Sequence, residues 1–185
     1  AMGVPPGQVM AAMPHAPSIP GRAELLWQGQ GRTIMRDYAH TPDALERMLR
    51  SLRRVHGGRL LVLFGCGGCR DRKKRPMMAG AAARWADGIV ITDDNPRTEP
   101  PEEIRREIIR GLPKNARWRE IPDRRQAMEQ TIAVMRQGDL LLLAGKGHED
   151  YQIIMEKTVP FDEKEIVTEI LKSGRIPWKN CHCEK

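Results

Sequence analysis

Residues 59–64 read RLLVLF, and residues 65–76, which follow directly, read GCGGCRDRKKRP. A short apolar run of this kind has the length of a strand that is buried on both faces of a sheet. The glycine-rich, basic segment after it predicts a loop, and Pro76 opens a segment with helical periodicity. The apolar face of this predicted helix is formed by Met78, Ala81, Ala82 and Trp85. A strand, a loop and a helix in this order are the repeating unit of a parallel sheet.

The same alternation continues on both sides of this unit. Upstream, residues 24–28 and 32–36 predict two strands, and Thr41 with Pro42 predicts the start of a helix. Downstream, strands are predicted at residues 88–92, 117–121 and 139–144, and helices after Pro101, around Met128 and after a capping box of Asp162 and Glu165. We therefore predict a Rossmann-like α/β fold with a mainly parallel sheet and helices on both faces.

The composition excludes several classes of protein. The chain of 185 residues carries 31 Lys plus Arg against 24 Asp plus Glu, a formal charge of +7 that favours anionic partners. Small phosphorylated molecules fit this charge as well as nucleic acid does, and the isolated aromatic residues provide no stacking platform, so we expect no nucleic-acid partner. No apolar run approaches the roughly 20 residues of a membrane span. Four cysteines are too few and too clustered for a secreted disulfide framework, which favours a reducing cytoplasm.

Four polar loops follow predicted strands and should meet at one edge of the sheet. They are residues 37–43 (DYAHTPD), 65–76, 93–97 (DDNPR) and 145–151 (GKGHEDY). Ligands of open parallel sheets bind beyond the carboxyl ends of the strands. The carboxylates, guanidinium groups, histidines and glycines gathered here suit a zwitterionic or phosphorylated ligand.

Six ordered motifs resemble the C-terminal domain of the Mur ligases, closest to the branch that adds meso-diaminopimelate to UDP-N-acetylmuramoyl-L-alanyl-D-glutamate. They are PGR at 20–22, DYAHTPD at 37–43, FGCGG at 64–68, KRP at 74–76, DNPR at 94–97 and GKGHEDYQ at 145–152. The resemblance implies a cytoplasmic ligase that uses ATP and Mg²⁺ and proceeds through an acyl phosphate. Its substrates would be meso-diaminopimelate and the UDP-N-acetylmuramoyl dipeptide, the latter bound through domains that this sequence lacks.

The resemblance also divides the chain. Residues 1–19, in which Val9, Met10 and Met13 predict a short helical face, would be the end of a central ATPase domain plus a hinge. Residues 20–172 would be the amino-acid-binding domain, and residues 173–185 a tail that we expect to be mobile. The sequence holds no G-x-x-x-x-G-K-[ST] phosphate loop, so the resemblance places that loop and the magnesium ligands in the part that is lacking. The isolated chain is expected to be inactive.

Residue roles follow from the same resemblance. It assigns Arg22, Asp37 and His40 to the nucleotide, and an Asp at a strand end has the chemistry to accept both ribose hydroxyls. It assigns Lys74 a catalytic role at the transferred phosphate. The amino-acid pocket would be Arg70, Asp94, Asn95, Arg97, Gly145 and Glu149, and no metal ligands are assigned to this chain. Guanidinium groups for carboxylates and acids for ammonium groups are the balance that diaminopimelate needs.

Two departures from the family pattern leave the function partly open. Cys69 stands where the family usually has an Asp, and Ala23 where a bulkier residue is common. With Cys66, Cys181 and Cys183, Cys69 would also give a zinc site if the tail folded back, or a redox pair. The sequence is also compatible with a stand-alone module that binds an amino acid or nucleotide without catalysis, and with a ligase for L-lysine or another amino acid.

Overall fold

The structure, a computed structural model, describes residue 3, residues 5–12 and residues 18–173. The N-terminal helix α1 spans Pro6–Ala12, which agrees with the short helical face predicted there. Met13, most of the expected hinge and the tail after Ser173 lie outside the described residues. Within those residues, no helix is both long and apolar enough to cross a membrane.

The predicted parallel sheet is confirmed. Its strands are β1 (Glu24–Gly29), β2 (Arg32–Asp37), β3 (Leu60–Phe64), β4 (Gly88–Ile91), β5 (Trp118–Glu120) and β6 (Leu140–Ala144). In the part of the chain that the structure describes, these six strands lie in the order β1-β2-β6-β3-β4-β5. Each neighbouring pair is parallel except β1 and β2, which form an antiparallel hairpin at the edge.

Helices cover both faces of the sheet, as predicted. They are α2 (Pro42–Val55), α3 (Lys74–Trp85), α4 (Pro101–Ile109), α5 (Arg124–Ala133) and α6 (Glu163–Lys172). Leu60, Val62 and Phe64 of β3 pack with α2, α3 and α4, whereas Leu61 and Leu63 pack with α5 and α6. Successive side chains of a strand point to opposite faces, so one continuous apolar run supplies both cores.

Side-chain caps begin α2, α5 and α6. Thr41 Oγ1 accepts a hydrogen bond from Ala44 N at 3.3 Å, which confirms the predicted start of α2. Asp123 Oδ1 accepts from Gln126 N, and Asp162 Oδ1 accepts from Lys164 N, both at 2.7 Å. The prediction for α3 was wrong by two residues, because this helix begins at Lys74 rather than Pro76.

A second, two-stranded sheet was not predicted. It is the hairpin of β7 (Tyr151–Ile154) and β8 (Lys157–Pro160). Its two-residue turn begins at Met155, whose φ of 54° lies in the left-handed region that usually calls for Gly, Asn or Asp. Without one of those residues in the turn, nothing in the local sequence marked the hairpin.

The carboxyl ends of β2, β6, β3 and β4 meet at one edge. Asp37 and Phe64 both pair in register with Ala144, and Phe64 pairs with Ile91. The four loops that follow these strands therefore emerge side by side, as the sequence predicted.

Candidate functional site

One group of predicted residues lies near the end of β2 and contains Arg22, Asp37, His40 and Lys74. The Arg22 guanidinium carbon lies 4.9 Å from the centre of the Tyr38 ring, and the His40 ring centre lies 4.6 Å from it. Lys74 Nζ donates a hydrogen bond to the His40 carbonyl oxygen at 2.8 Å. Asp37 Oδ2 accepts one from Ala23 N, also at 2.8 Å. The structure thus brings the four residues onto one surface.

The chemistry of this surface fits the phosphate and ribose side of a nucleotide. Arg22 and His40 are exposed, and Asp37 and Lys74 are half-buried beside them. A guanidinium and an ammonium suit phosphate oxygens, and a carboxylate suits hydroxyl groups. Asp37 is not needed as a helix cap, because Thr41 caps α2. Nucleotide binding by these residues stays a prediction.

Two glycines let the loop before β1 lie against the loop after β6. A Cβ on Gly21, whose φ is 70°, would lie 2.2 Å from His148 N, far inside contact distance. A Cβ on Gly147, whose φ is 55°, would lie 2.6 Å from Tyr38 Cβ. Only glycine allows backbones to approach this closely in this conformation. The contact fixes Arg22 beside Tyr38 and His148.

A second group lies at the ends of β4 and β6 and contains Asp94, Asn95, Arg97 and Glu149. Asn95 Nδ2 donates to Glu149 Oε2 at 2.9 Å, which joins the two loops. Arg97 Nη1 donates to the Gly68 carbonyl oxygen at 3.0 Å, which ties in the glycine-rich loop. Asp94 Oδ1 is buried and accepts no hydrogen bond from the described residues, and its ion-pair partner is Lys146 Nζ at 3.4 Å. Together with Glu149, Asp94 places two carboxylates where the 94–97 and 145–149 loops meet.

Tyr38 connects the two groups, and sequence reasoning did not single it out. Its hydroxyl donates to Glu149 Oε1 at 3.4 Å. Burial, reinforced by the negative charge of Glu149, raises the pKa of the Tyr38 hydroxyl. The sequence signal that could have identified Tyr38 is its place between Asp37 and His40 in the DYAHTPD motif.

Lys146 is another residue that sequence reasoning missed. Its side chain is completely buried between the two loops and the β7–β8 hairpin. Burial lowers the pKa of the Lys146 ammonium, and the nearby Asp94 carboxylate opposes that change. The sequence signal was a lysine between two glycines, a string that lacks the spacing and the hydroxyl residue of a phosphate loop.

The last two predicted pocket residues differ in their placement. Gly145 has a φ of 110° and donates its N–H to the Asp37 carbonyl oxygen at 3.0 Å, so it lies at the junction of the two groups. Arg70 is exposed on the glycine-rich loop, and no hydrogen bond or ion pair among the described residues joins it to the pocket. The structure therefore groups five of the six predicted pocket residues.

The cysteines of the glycine-rich loop lie in different surroundings. Cys66 is 3 % exposed within the core and contacts Met78 Sδ at 3.6 Å, and burial raises the pKa of its thiol to about 12. Cys69 is exposed, with its Sγ 3.3 Å from Thr98 Oγ1. Because the Cys66 thiol is so hard to ionise, it is a poor metal ligand and a poor redox nucleophile. Cys181 and Cys183 lie outside the described residues, and in the described part no group of three His, Cys, Asp or Glu side chains is arranged to hold a metal ion.

Buried ion pairs support the glycine-rich loop from below. Arg75 is completely buried and donates to both oxygens of Glu99 at 2.7 Å, to Glu107 Oε2 at 2.7 Å and to the Gly67 carbonyl oxygen at 3.4 Å. Glu99 Oε2 also accepts from Cys69 N at 3.0 Å. These contacts hold both ends of the 67–69 segment to α3 and to the chain after Arg97.

A groove lies at the end of the sheet opposite the candidate site. It has a volume of about 590 Å³ and lies at the opposite end of β4 and β5, where Arg59, Asp87 and Trp118 are among its lining residues. None of the predicted site residues lines it.

Comparison with known proteins defines the class. The family described as "Mur ligase, glutamate ligase domain" matches residues 21–147, which contain most residues of both groups. The chain belongs to this family.

Individual relatives show which members of the family this chain is similar to. The UDP-N-acetylmuramoyl-L-alanyl-D-glutamate–2,6-diaminopimelate ligase of Syntrophomonas wolfei is 44 % identical over 94 % of this chain and 36 % of its own length. A solved structure of a ligase with that name is similar with a TM-score of 0.80 and 38 % identity, over 93 % of this chain and 35 % of the other. The folylpolyglutamate synthase/dihydrofolate synthase of Yersinia pestis, solved with AMPPNP and a Mn ion, shares the fold, with a TM-score of 0.57 and 20 % identity over 72 % of this chain and 30 % of the other. The chain thus spans about a third of the length of the curated relatives it matches.

Proposed function

We propose that this chain is the amino-acid-binding domain of a cytoplasmic, ATP-dependent ligase. The ligase adds meso-diaminopimelate to UDP-N-acetylmuramoyl-L-alanyl-D-glutamate in peptidoglycan synthesis. The observation that carries the proposal is the second group of site residues, where Asn95 joins the Glu149 carboxylate to the loop that holds Asp94 and Arg97. The names of the relatives, which contain the same two substrates, support it.

The charges of this group match those of the proposed ligand. Meso-diaminopimelate carries two ammonium and two carboxylate groups. The Asp94 and Glu149 carboxylates suit an ammonium group, because together they carry more negative charge than their shared partner Lys146 balances and each carboxylate can accept several hydrogen bonds. Arg97 is half-buried and uses Nη1 for backbone carbonyl oxygens, which aims the guanidinium and leaves its other nitrogens for a carboxylate.

The first group supports the nucleotide part of the proposal. Arg22, Asp37 and His40 would hold the ribose and phosphate side of ATP, and Lys74 would neutralise charge on the transferred phosphate. Bound ATP would supply the phosphoryl group that activates the glutamyl carboxylate of the dipeptide. From the family resemblance, we propose that Mg²⁺ and the UDP-N-acetylmuramoyl dipeptide bind to the rest of such a ligase. In the described residues, no group of three His, Cys, Asp or Glu side chains is arranged to hold a metal ion.

The test is titration of the chain with meso-diaminopimelate and with L-lysine, which lacks the second carboxylate. We expect diaminopimelate to bind at least tenfold more tightly. Arg97→Ala removes charge-assisted hydrogen bonds of about 1.5–3 kcal/mol, so diaminopimelate should bind about 10- to 150-fold more weakly, and lysine should bind almost as before.

Arg117→Ala is the matched control, because Arg117 is exposed and precedes β5 at the opposite edge of the sheet. It should leave both affinities unchanged. Equal affinity of the wild-type chain for the two amino acids would contradict this assignment of the pocket.

A further inference from the structure

Lys146 has a completely buried ammonium group surrounded by oxygen atoms. Nζ donates to the Tyr151 carbonyl oxygen at 2.5 Å and to Asn95 Oδ1 at 3.3 Å. It lies 3.4 Å from Asp94 Oδ1 and 3.7 Å from Glu149 Oε2. The ammonium therefore touches both carboxylates of the proposed amino-acid pocket without being open to a ligand itself.

These contacts determine the orientation of the Asn95 amide. Asn95 Oδ1 accepts from Lys146 Nζ and also from Ile153 N, the latter at 3.0 Å. Because both donors face this oxygen, the amide nitrogen must point the other way, where it donates to Glu149. Lys146 thus orients the Asn95 amide so that its nitrogen faces the Glu149 carboxylate.

The same contacts join three segments into one wall of the pocket. Arg97 N donates to the Ile153 carbonyl oxygen at 3.0 Å, and Met155 N donates to the Arg97 carbonyl oxygen at 2.8 Å. Lys146 adds the bond to Tyr151, at the start of the same strand. The 94–97 loop, the 145–149 loop and β7 are thus joined to one another through hydrogen bonds and the Lys146 ammonium.

The electrostatic arrangement has a physical consequence for the two carboxylates. Two carboxylates at one site repel each other. The Lys146 ammonium lies 3.4 Å from Asp94 Oδ1 and 3.7 Å from Glu149 Oε2, so its positive charge offsets part of that repulsion and lets the two carboxylates share one wall of the pocket. Burying an ammonium is costly, and apolar residues of similar size often stabilise a fold at least as well as a buried ion pair. Packing alone therefore does not explain a positive charge at Lys146.

We propose that Lys146 is the positioning residue of the amino-acid pocket, which holds the Asn95 amide and the Asp94 and Glu149 carboxylates in the orientation that accepts a ligand ammonium. This inference rests on the proposed function for the identity of the ligand. The coupling of the 94–97 loop, the 145–149 loop and β7 through the Lys146 ammonium can be tested without any ligand.

The first experiment measures hydrogen exchange in the ligand-free chain. Lys146→Met keeps the length of the side chain and removes the charge, and Lys114→Met is the matched control at an exposed lysine. We expect the protection factors of the Ile153 and Met155 amides to fall at least tenfold in Lys146→Met. In Lys114→Met these protection factors should not change. The amide of Leu142, in the core strand β6, should be unaffected in both variants. Unchanged protection of Ile153 and Met155 overturns the proposal.

The second experiment is a double-mutant cycle on binding of meso-diaminopimelate. Lys146→Met should weaken binding at least tenfold in the wild-type background and less than threefold in a Glu149→Gln background, because the lysine acts through that carboxylate. Equal losses in the two backgrounds would mean a general structural role and overturn the proposal. If the wild-type chain does not bind diaminopimelate, the proposed function fails, and the exchange experiment alone decides the role of Lys146.

A third measurement covers the case in which Lys146→Met does not fold. In the wild-type chain, the ¹⁵N signal of the Lys146 ammonium should persist at neutral pH, whereas the ammonium of the exposed Lys114 should be lost to exchange with water. Exchange of Lys146 as fast as that of Lys114 would show that the buried contacts do not form, and would overturn the proposal.

Discussion

Replacing Glu99 by Gln should destabilise the glycine-rich loop in a pH-dependent way. Hydrogen bonds from Arg75, helped by the bond from Cys69 N, lower the pKa of the Glu99 carboxyl from 4.5 to about 2 against the opposing effect of burial. The side chain is only 12 % exposed, so solvent screens this interaction weakly. At 1.36 kcal/mol per pKa unit, the ionised form stabilises the folded chain by about 3 kcal/mol at neutral pH.

The sign of the pH dependence follows from the direction of this shift. A carboxyl whose pKa is lower in the folded chain contributes its full stability above the unfolded value of 4.5, and the contribution is lost as the pH falls towards 2. We therefore expect Glu99→Gln to lose about 3 kcal/mol of unfolding free energy at pH 7. By pH 3.5 the difference from wild type should have fallen to about 2 kcal/mol.

The assay is urea unfolding of both proteins at pH 7 and pH 3.5. Glu46→Gln is the control, because Glu46 pairs with Arg84, whose side chain is 63 % exposed, and such surface pairs contribute about 0–1 kcal/mol. The reasoning is refuted if Glu99→Gln loses no more stability than Glu46→Gln at pH 7. It is refuted equally if the loss is the same at both pH values.

Two further predictions concern the isolated chain. The purified 185-residue chain should not hydrolyse ATP above background, since its sequence has no G-x-x-x-x-G-K-[ST] phosphate loop; sustained turnover in a coupled phosphate assay would contradict this. Gly21→Ala should lower the unfolding free energy by at least about 2 kcal/mol, because the new Cβ is both strained at a φ of 70° and 2.2 Å from His148 N. Gly57→Ala, where nothing lies within 4 Å of the new Cβ, should be nearly neutral, and equal melting temperatures for the two variants would argue against the close approach at Gly21.

The family and the general fold were accessible without coordinates. The apolar run at residues 60–64 and the Thr41–Pro42 helix start predicted elements that the structure contains, because both depend on residues close together in the chain. The same alternation predicted that four polar loops share an edge, and the parallel register of β2, β6, β3 and β4 confirms it. The motifs in those loops predicted the ligase family, which the match to residues 21–147 confirms.

The contacts inside the site could not be predicted from the sequence in the same way. Cys66 and Cys69 form one C-x-x-C string, yet one lies in the core and the other at the surface, because the loop between them turns at the end of a buried strand. Arg70 and Arg97 were both assigned to the pocket, but only Arg97 is held there, by the carbonyl oxygens of Gly68 and Asn95.

The sequence by itself determined the alternation of strands and helices in the main sheet, the caps at Thr41 and Asp162, the shared loop edge and the family, since each depends on local periodicity or on short contiguous motifs. The tertiary structure alone decided that Lys146 is buried among the oxygens of Asp94, Asn95 and Tyr151, and that the β7–β8 hairpin closes over it. Lys146 and Asn95 are 51 residues apart, and the burial and charge of each depend on which distant segment the fold places against it. No local pattern carries that information, because the low dielectric surroundings that give a buried ammonium its influence exist only once the segments have packed.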